Sequence, residues 1–151
     1  MRHFSTTSDG IVASFTEEER VFLGDVVPML AGIGPTGDDP AATRLNVPVY
    51  LDDPTSNDEW WRLMGPELGD ARTVDRRAFS RVIDSSAPVA LQEGEADAFL
   101  RVVNEARLVL GARLGIEVED DHDRIPEDGR RALDYLGWIQ EELTEELTRA
   151  L

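Results

Sequence analysis

LRVVNEARLVLGARLG, residues 100–115, is the stretch that decides the fold. At about 100° per residue its leucine, valine and alanine side chains cover most of a helical circumference. Such a helix belongs at the centre of a bundle, buried nearly all round. Three polar residues interrupt it: Asn104, Arg107 and Arg113. Leu100, Asn104, Arg107, Gly111 and Leu114 fall on one stripe, and Gly111 bares the backbone there for a close neighbour. Polar groups inside a bundle must be paired. The expected partner is Asp52 or Asp53, in a network tying the central helix to residues 44–53. The same three residues also read as a polar anchor in a groove between helices, gripping a carboxylate or a partner's backbone.

The chain has 151 residues, which fits one helical domain over 1–151. A domain of this length buries roughly 70% of the surface its unfolded chain exposes and needs no metal or disulfide. Hydrophobic residues at 41% and charged residues at 30% describe a globular protein. No apolar run approaches the ~20 residues of a membrane span. The opening residues MRHFSTTSDG lack the apolar core of a signal peptide, so a cytoplasmic location is expected.

The absence of cysteine excludes disulfides, thiolate zinc sites, thiol nucleophiles and thiol redox switches. His3 and His122 are too few and too far apart in sequence for a His-rich metal site. All 15 basic residues are arginine, which excludes lysine Schiff-base chemistry and, with the abundant alanine, hints at a GC-rich genome. The net charge of −16 repels nucleic acid phosphates over about 8–10 Å and would steer a basic protein partner inward.

Away from the central helix, Asp9-Gly10 between two short stretches of residues 4–15 signals a hairpin. Thr16 and Glu19 form a capping box opening a helix over 17–31, with Pro28 kinking or shortening it before Gly32. Residues 32–40 form a loop and residues 44–53 an extended or irregular segment. A second capping box at Ser56 and Glu59 opens a short helix broken at Gly65-Pro66, and another helix follows over 67–85. The central helix starts near Gln92, and Pro126 occupies the first position of a final helix. That last helix turns Ala132, Leu133, Leu136, Ile139, Leu143 and Leu147 inward, and Glu141, Glu142 and Glu145 outward. The expected architecture is all-α, a bundle of about five helices with at most a small N-terminal β-hairpin.

Chemistry-bearing patterns are sparse. EVEDDHD, residues 117–123, supplies hard-metal ligand types in Asp120, Asp121, His122 and Asp123. It lacks the alternating ligands, central glycine and terminal glutamate of an EF-hand, so a solvated acidic loop is expected. Arg72, Arg76, Arg77 and Arg81 form the one basic cluster, read as a face pairing with the excess acids, or else as a contact for an anionic partner. Arg101 and Glu105 look like a surface pair. Tyr50, Trp60, Trp61, Tyr135 and Trp138 should pack at the core or its edge. Trp60, if exposed, is the candidate interface anchor. No phosphate loop, dinucleotide glycine pattern, nucleophile elbow or HExxH motif is present.

RLNVPVYLDD (44–53), EWWRL (59–63), LRVVNEARLVLGARLG (100–115) and YLGWIQEEL (135–143) resemble, in order, the actinobacterial AosR-like family. These small helical proteins were formerly classed as a domain of unknown function, and some are described as oxidative-stress regulators. The most specific part is N-x-x-R-L-x-L-G-x-R-L, met by Asn104, Arg107, Leu108, Leu110, Gly111, Arg113 and Leu114. The resemblance implies transcriptional control of the response to oxidants, through contact with the transcription machinery rather than catalysis. Redox-active members are described as using a cysteine pair, which this chain lacks, so thiol sensing carries over to no position. The motif residues bring no catalytic role with them.

The leading expectation is a non-enzymatic, cytoplasmic interaction module that regulates through protein contacts, needs no cofactor or metal, and can form a homodimer. The alternative is a small-ligand binder or unrecognised enzyme with a pocket at Arg44, Tyr50, Asn104 and Arg107. Direct nucleic acid binding is disfavoured by charge.

Overall fold

The computed structural model describes residues 2–33, 40–46, 52–115 and 125–150. Strands β1 (Phe4–Thr7) and β2 (Gly10–Ala13) pair antiparallel, Phe4 opposite Ala13 and Thr7 opposite Gly10. The hairpin turns where Asp9-Gly10 places it, with Gly10 at a φ of 99° that a side chain would strain. A third strand, β3 (Val89–Ala90), adds to β2 and makes a small three-stranded antiparallel sheet in the order β1-β2-β3. The fold is therefore mostly helical with a sheet, not all-α. Two residues between long helices are too few to show the alternation by which a strand is read.

Helix α1 (Glu17–Gly24) carries the expected capping box. Glu19 N–H donates to Thr16 Oγ1 at 3.2 Å, and Thr16 N–H to Glu19 Oε1 at 3.0 Å. The chain breaks at Asp25 before α2 (Val26–Ala31), because Pro28 has no N–H to offer the Gly24 carbonyl. Residues 44–45, expected to be extended, close the short α3 (Pro40–Leu45), which buries Ala41, Ala42 and Leu45. The next helix, α4 (Pro54–Ile83), runs unbroken for 30 residues through Gly65-Pro66. Pro66 removes one bond, to the Arg62 carbonyl, from a long ladder, so the loss stays local. Asp53, not Ser56, is its N-cap, accepting from Ser56 N at 3.1 Å and Ser56 Oγ at 2.7 Å. Glu59 pairs with Arg62 instead of completing a capping box. Helix α5 (Glu95–Arg113) follows Gly94, and α6 (Glu127–Arg149) follows Pro126, which is its N-cap, so the helix starts one residue later than expected.

Helix α5 is central: α2, α3, α4 and α6 all pack on it. Phe99, Val102, Val103, Ala106 and Val109 are fully buried there. Phe99 meets Phe4 of β1 at 5.7 Å between centroids and Phe79 of α4 at 4.7 Å. The burial is one broad face, however, not the whole circumference. Arg101, Asn104, Arg107, Leu108 and Arg113 are exposed, correcting the expectation of arginines neutralised from within. A guanidinium that stays hydrated avoids the desolvation cost that an internal pair must offset.

Nor is Gly111 a point of close approach: a Cβ there would meet nothing within 4 Å. The bare positions lie on α6. At Gly129 a Cβ would stand 2.8 Å from Leu114 Cδ1, and at Gly137 one would touch the Arg107 guanidinium at 3.6 Å. No helix among the described residues is long and apolar enough to cross a membrane. Because Gly111 sits in a helix interior with open space, Gly111→Ala should stabilise by about 0.5–1 kcal/mol in urea unfolding. Destabilisation would contradict this packing of α5.

Candidate functional site

Along α6, Leu133, Leu136, Ile139 and Leu143 face the core. Glu142 and Glu146 follow Ile139 by three and seven positions, so they lie on the same arc. Both are buried, at 4% and 3% exposure, which corrects the outward placement of Glu142. What makes this tolerable is the start of the chain. Glu142 Oε1 accepts the backbone N–H of His3 at 2.6 Å and of Phe4 at 3.0 Å. Its Oε2 lies 2.9 Å from His3 Nδ1. Glu146 accepts from Arg2 Nη2 at 2.8 Å, Thr6 Oγ1 at 2.6 Å and Arg149 Nη1 at 2.9 Å. Strand β1 is the sheet's outer strand, whose edge N–H groups would otherwise lack partners. Glu142 accepts from two of them, while Glu146, one helical turn further on, holds the Arg2 and Thr6 side chains.

His3 is the hub of this seam. Its Nε2 hydrogen-bonds Glu19 Oε2 of α1, and the Tyr135 hydroxyl donates to that same oxygen at 2.6 Å. Phe15 stacks on the imidazole at 5.2 Å, while Trp138 and Tyr135 meet it edge-on at 5.0 and 5.9 Å. Burial opposes charge on Glu19, but hydrogen bonds from Tyr135, the Thr16 backbone and His3 together hold its carboxyl below the usual value. Burial, and then the hydrogen bond to Glu19, push the Tyr135 hydroxyl well above its ordinary range. A general base must reach a substrate proton. With 3% exposure the His3 ring does not reach solvent, so this cluster is a clamp joining β1, α1 and α6. Among the described residues no group of three or more His, Asp or Glu is placed to hold a metal.

Directly above the clamp lies an aromatic surface. Trp138 is 49% exposed and Phe22 37%, with Val21 beside it in sequence on α1. Phe22 meets Tyr135 edge-on at 5.5 Å, and Tyr135 meets Trp138 at 6.5 Å. Trp138 is also one wall of an open groove along α6, together with Asp134, Glu141 and Glu145.

The residues singled out from sequence are dispersed. Arg107 donates to Gln140 Oε1 at 2.7 Å and borders the α6 groove, which includes neither Arg44 nor Asn104. Asn104 and Arg113 are exposed on α5, Arg44 is exposed on α3, and Asp52 is exposed before α4. Asp53 is engaged by its cap, so it does not anchor the central helix. Tyr50 and residues 117–123, with Asp120, Asp121, His122 and Asp123, lie outside the described residues. Trp60 is half-buried, edge-on to Trp61 at 5.0 Å, and yields the exposed role to Trp138.

Three members of the α4 arginine cluster pair with acids of α5, while Arg77 is exposed. Arg72 and Arg76 lie 3.7 and 3.3 Å from Glu105, and Arg81 pairs with Glu95. Arg72 also bonds Asn46 Oδ1 at 2.7 Å and the Leu45 carbonyl at 2.9 Å. Arg101 is bidentate to Asp75 at 2.8 Å, leaving Glu105 to the α4 arginines. Sequence reasoning missed the clamp, though Glu142 and Glu146 on the arc of Ile139 and Leu143 were its readable signal.

A helical domain stapled by a three-stranded N-terminal sheet, with His3 closed off from solvent, is the class that these features define. A family model described as "Domain of unknown function (DUF2017)" matches residues 1–147, and the chain belongs to that family. No curated protein and no solved structure matches it.

Glu142→Ala leaves two backbone donors and the His3 ring without their acceptor, and should cost about 3–5 kcal/mol in denaturant unfolding. The exposed neighbour change Glu141→Ala should stay within about 0.5 kcal/mol. Equal effects would contradict the clamp. The Thr6 hydroxyl, then the Arg2 and Arg149 charges, outweigh burial and hold the Glu146 carboxyl below its ordinary value of 4.5. Its stabilisation is therefore complete above that value and lost as pH falls through the lowered one. Glu146→Gln should flatten the acid limb of the stability curve below pH 4.5. An unchanged limb would refute that assignment.

Proposed function

We propose that this chain is a non-enzymatic interaction module that binds a protein partner through the α1–α6 surface formed by Val21, Phe22, Tyr135 and Trp138. The observation that carries the proposal is the exposed, connected aromatic run held over a buried clamp. Aromatic residues fixed in place form the energetic centres of protein interfaces, because little entropy remains to be lost on binding. The surface is bordered by exposed acids, Glu17 and Glu18 on α1 and Asp134, Glu141 and Glu145 on α6. With a net charge of −16, this favours a partner with basic groups around an apolar centre and disfavours nucleic acid.

The sequence resemblance to the AosR-like proteins supports a component of the transcription machinery as that partner, and a role in the response to oxidants. Lacking cysteine, this chain would act there by contact alone, in the cytoplasm. The ligand-pocket alternative has less support, since the groove that Arg107 borders includes neither Arg44 nor Asn104.

The test is in-cell photo-cross-linking from position 21, with the captured partner identified and its affinity measured. Phe22→Ser and Trp138→Ser should each weaken that complex by about tenfold or more, as hot-spot residues do. Leu63→Ser, at an exposed apolar position on α4, should leave it unchanged. No captured partner, or equal loss in all three variants, would overturn the proposal.

A further inference from the structure

Both ring nitrogens of His3 face carboxylate oxygens. Nδ1 lies 2.9 Å from Glu142 Oε2 of α6, and Nε2 bonds Glu19 Oε2 of α1. A nitrogen without its hydrogen would set its lone pair against that of a carboxylate, so each contact needs a proton of its own. A neutral imidazole carries one N–H and an imidazolium two. The three side chains must therefore share two protons, one more than a neutral ring and two carboxylates hold.

The second proton belongs to the ring. On Glu19, Oε1 already accepts the Thr16 N–H at 3.0 Å, and Oε2 accepts the Tyr135 hydroxyl at 2.6 Å. On Glu142, Oε1 accepts the backbone N–H groups of His3 and Phe4, and Arg2 Nε stands 3.8 Å from it. Donors so placed favour ionised carboxylates, and an imidazole nitrogen is the stronger base in each pair. Phe15, stacked on the ring at 5.2 Å, carries no charge and turns to it a π-face that suits a cation.

We infer that His3 is a proton-loaded latch, an imidazolium whose two N–H groups tie the start of the chain to α1 and α6 at once and let go when rising pH removes one of them. This goes beyond the interaction-module reading and holds whether or not the α1–α6 surface binds a partner. Losing either hydrogen removes a charge-assisted hydrogen bond and leaves two buried lone pairs opposed. The latch is therefore closed on the acid side of that loss and loosens on the alkaline side. Against burial, the hydrogen bonds from Tyr135, the Thr16 backbone and His3 hold the Glu19 carboxyl below its ordinary value, which moves the acid limit lower still. Tyr135 and Trp138 rest edge-on against the same ring, so their seat loosens with it.

The experiment records the imidazole nitrogen–proton correlations of the intact protein by NMR from neutral to alkaline pH, alongside exchange of the His3 and Phe4 amides. His122→Gln removes the signals of the other histidine. At neutral pH the His3 ring should carry hydrogen on both nitrogens. As the pH rises, loss of the second should coincide with a fall of about tenfold or more in protection of both amides, corrected for the base catalysis of exchange itself. Val102 and Val103 of α5 should keep theirs. Glu19→Gln separates the proton from the packing. A glutamine preserves the capping box through its carbonyl and offers its amide hydrogens to the Tyr135 oxygen and His3 Nε2. The ring then needs only its Nδ1 hydrogen, so this variant should show a singly protonated imidazole and protection that no longer falls with pH.

A ring with one hydrogen in the wild-type protein at neutral pH, both amides being protected, would put the extra proton on a carboxylate and overturn the inference. Unchanged protection after the ring loses its second hydrogen would overturn it too, as would a fall in Glu19→Gln as steep as in the wild type.

Discussion

Glu142 imposes the constraint on which the rest depends. A carboxylate on the core arc of α6 cannot stay unpaired, and the half-exposed Arg2 guanidinium, 3.8 Å away, reaches it only from the rim. Its partners are the N–H groups of His3 and Phe4, with the His3 ring beside them. The first residues of the chain must therefore return to the last helix. Once they do, Phe4 enters the core against Phe99, β1 gains a covered edge, and β2 and β3 build outward from it.

The same clamp links folding to surface chemistry. His3 touches Glu142 beneath it, Glu19 beside it and the rings of Tyr135 and Trp138 around it. Buried polar groups with every partner satisfied are rigid, because any displacement strands a donor or acceptor in a medium that cannot replace it. Rigidity passes to the aromatic residues resting on the ring. They hold their positions while half in solvent, an arrangement suited to contact with another macromolecule.

Much of the helical framework was legible in the sequence, for local reasons. The Thr16–Glu19 capping box, the Asp9-Gly10 turn and the apolar periodicity of α6 are short-range patterns that the structure reproduces. The continuity of α4 was not legible, because Gly65-Pro66 is a breaker signal that a long, well-capped helix can absorb. Strand β3 depends on a partner some 75 residues earlier in the chain and has no signal of its own. At the site, the apolar surroundings of Asn104, Arg107 and Arg113 in the sequence predict burial, whereas all three are exposed. The side of α5 that faces solvent is fixed by α2, α3, α4 and α6, not by its own composition. The converse holds for Glu142, whose charge predicts the surface while its position on the helical arc places it inward.

The central claim is that the beginning of the chain is locked onto α6 by the Glu142 carboxylate. Amide hydrogen exchange at His3 and Phe4 tests this most directly, since terminal residues ordinarily exchange with little protection. The account predicts protection of both amides comparable to that of Val102 and Val103 in the core of α5, opening only with global unfolding. Rapid exchange at both positions, with α5 still protected, would contradict it.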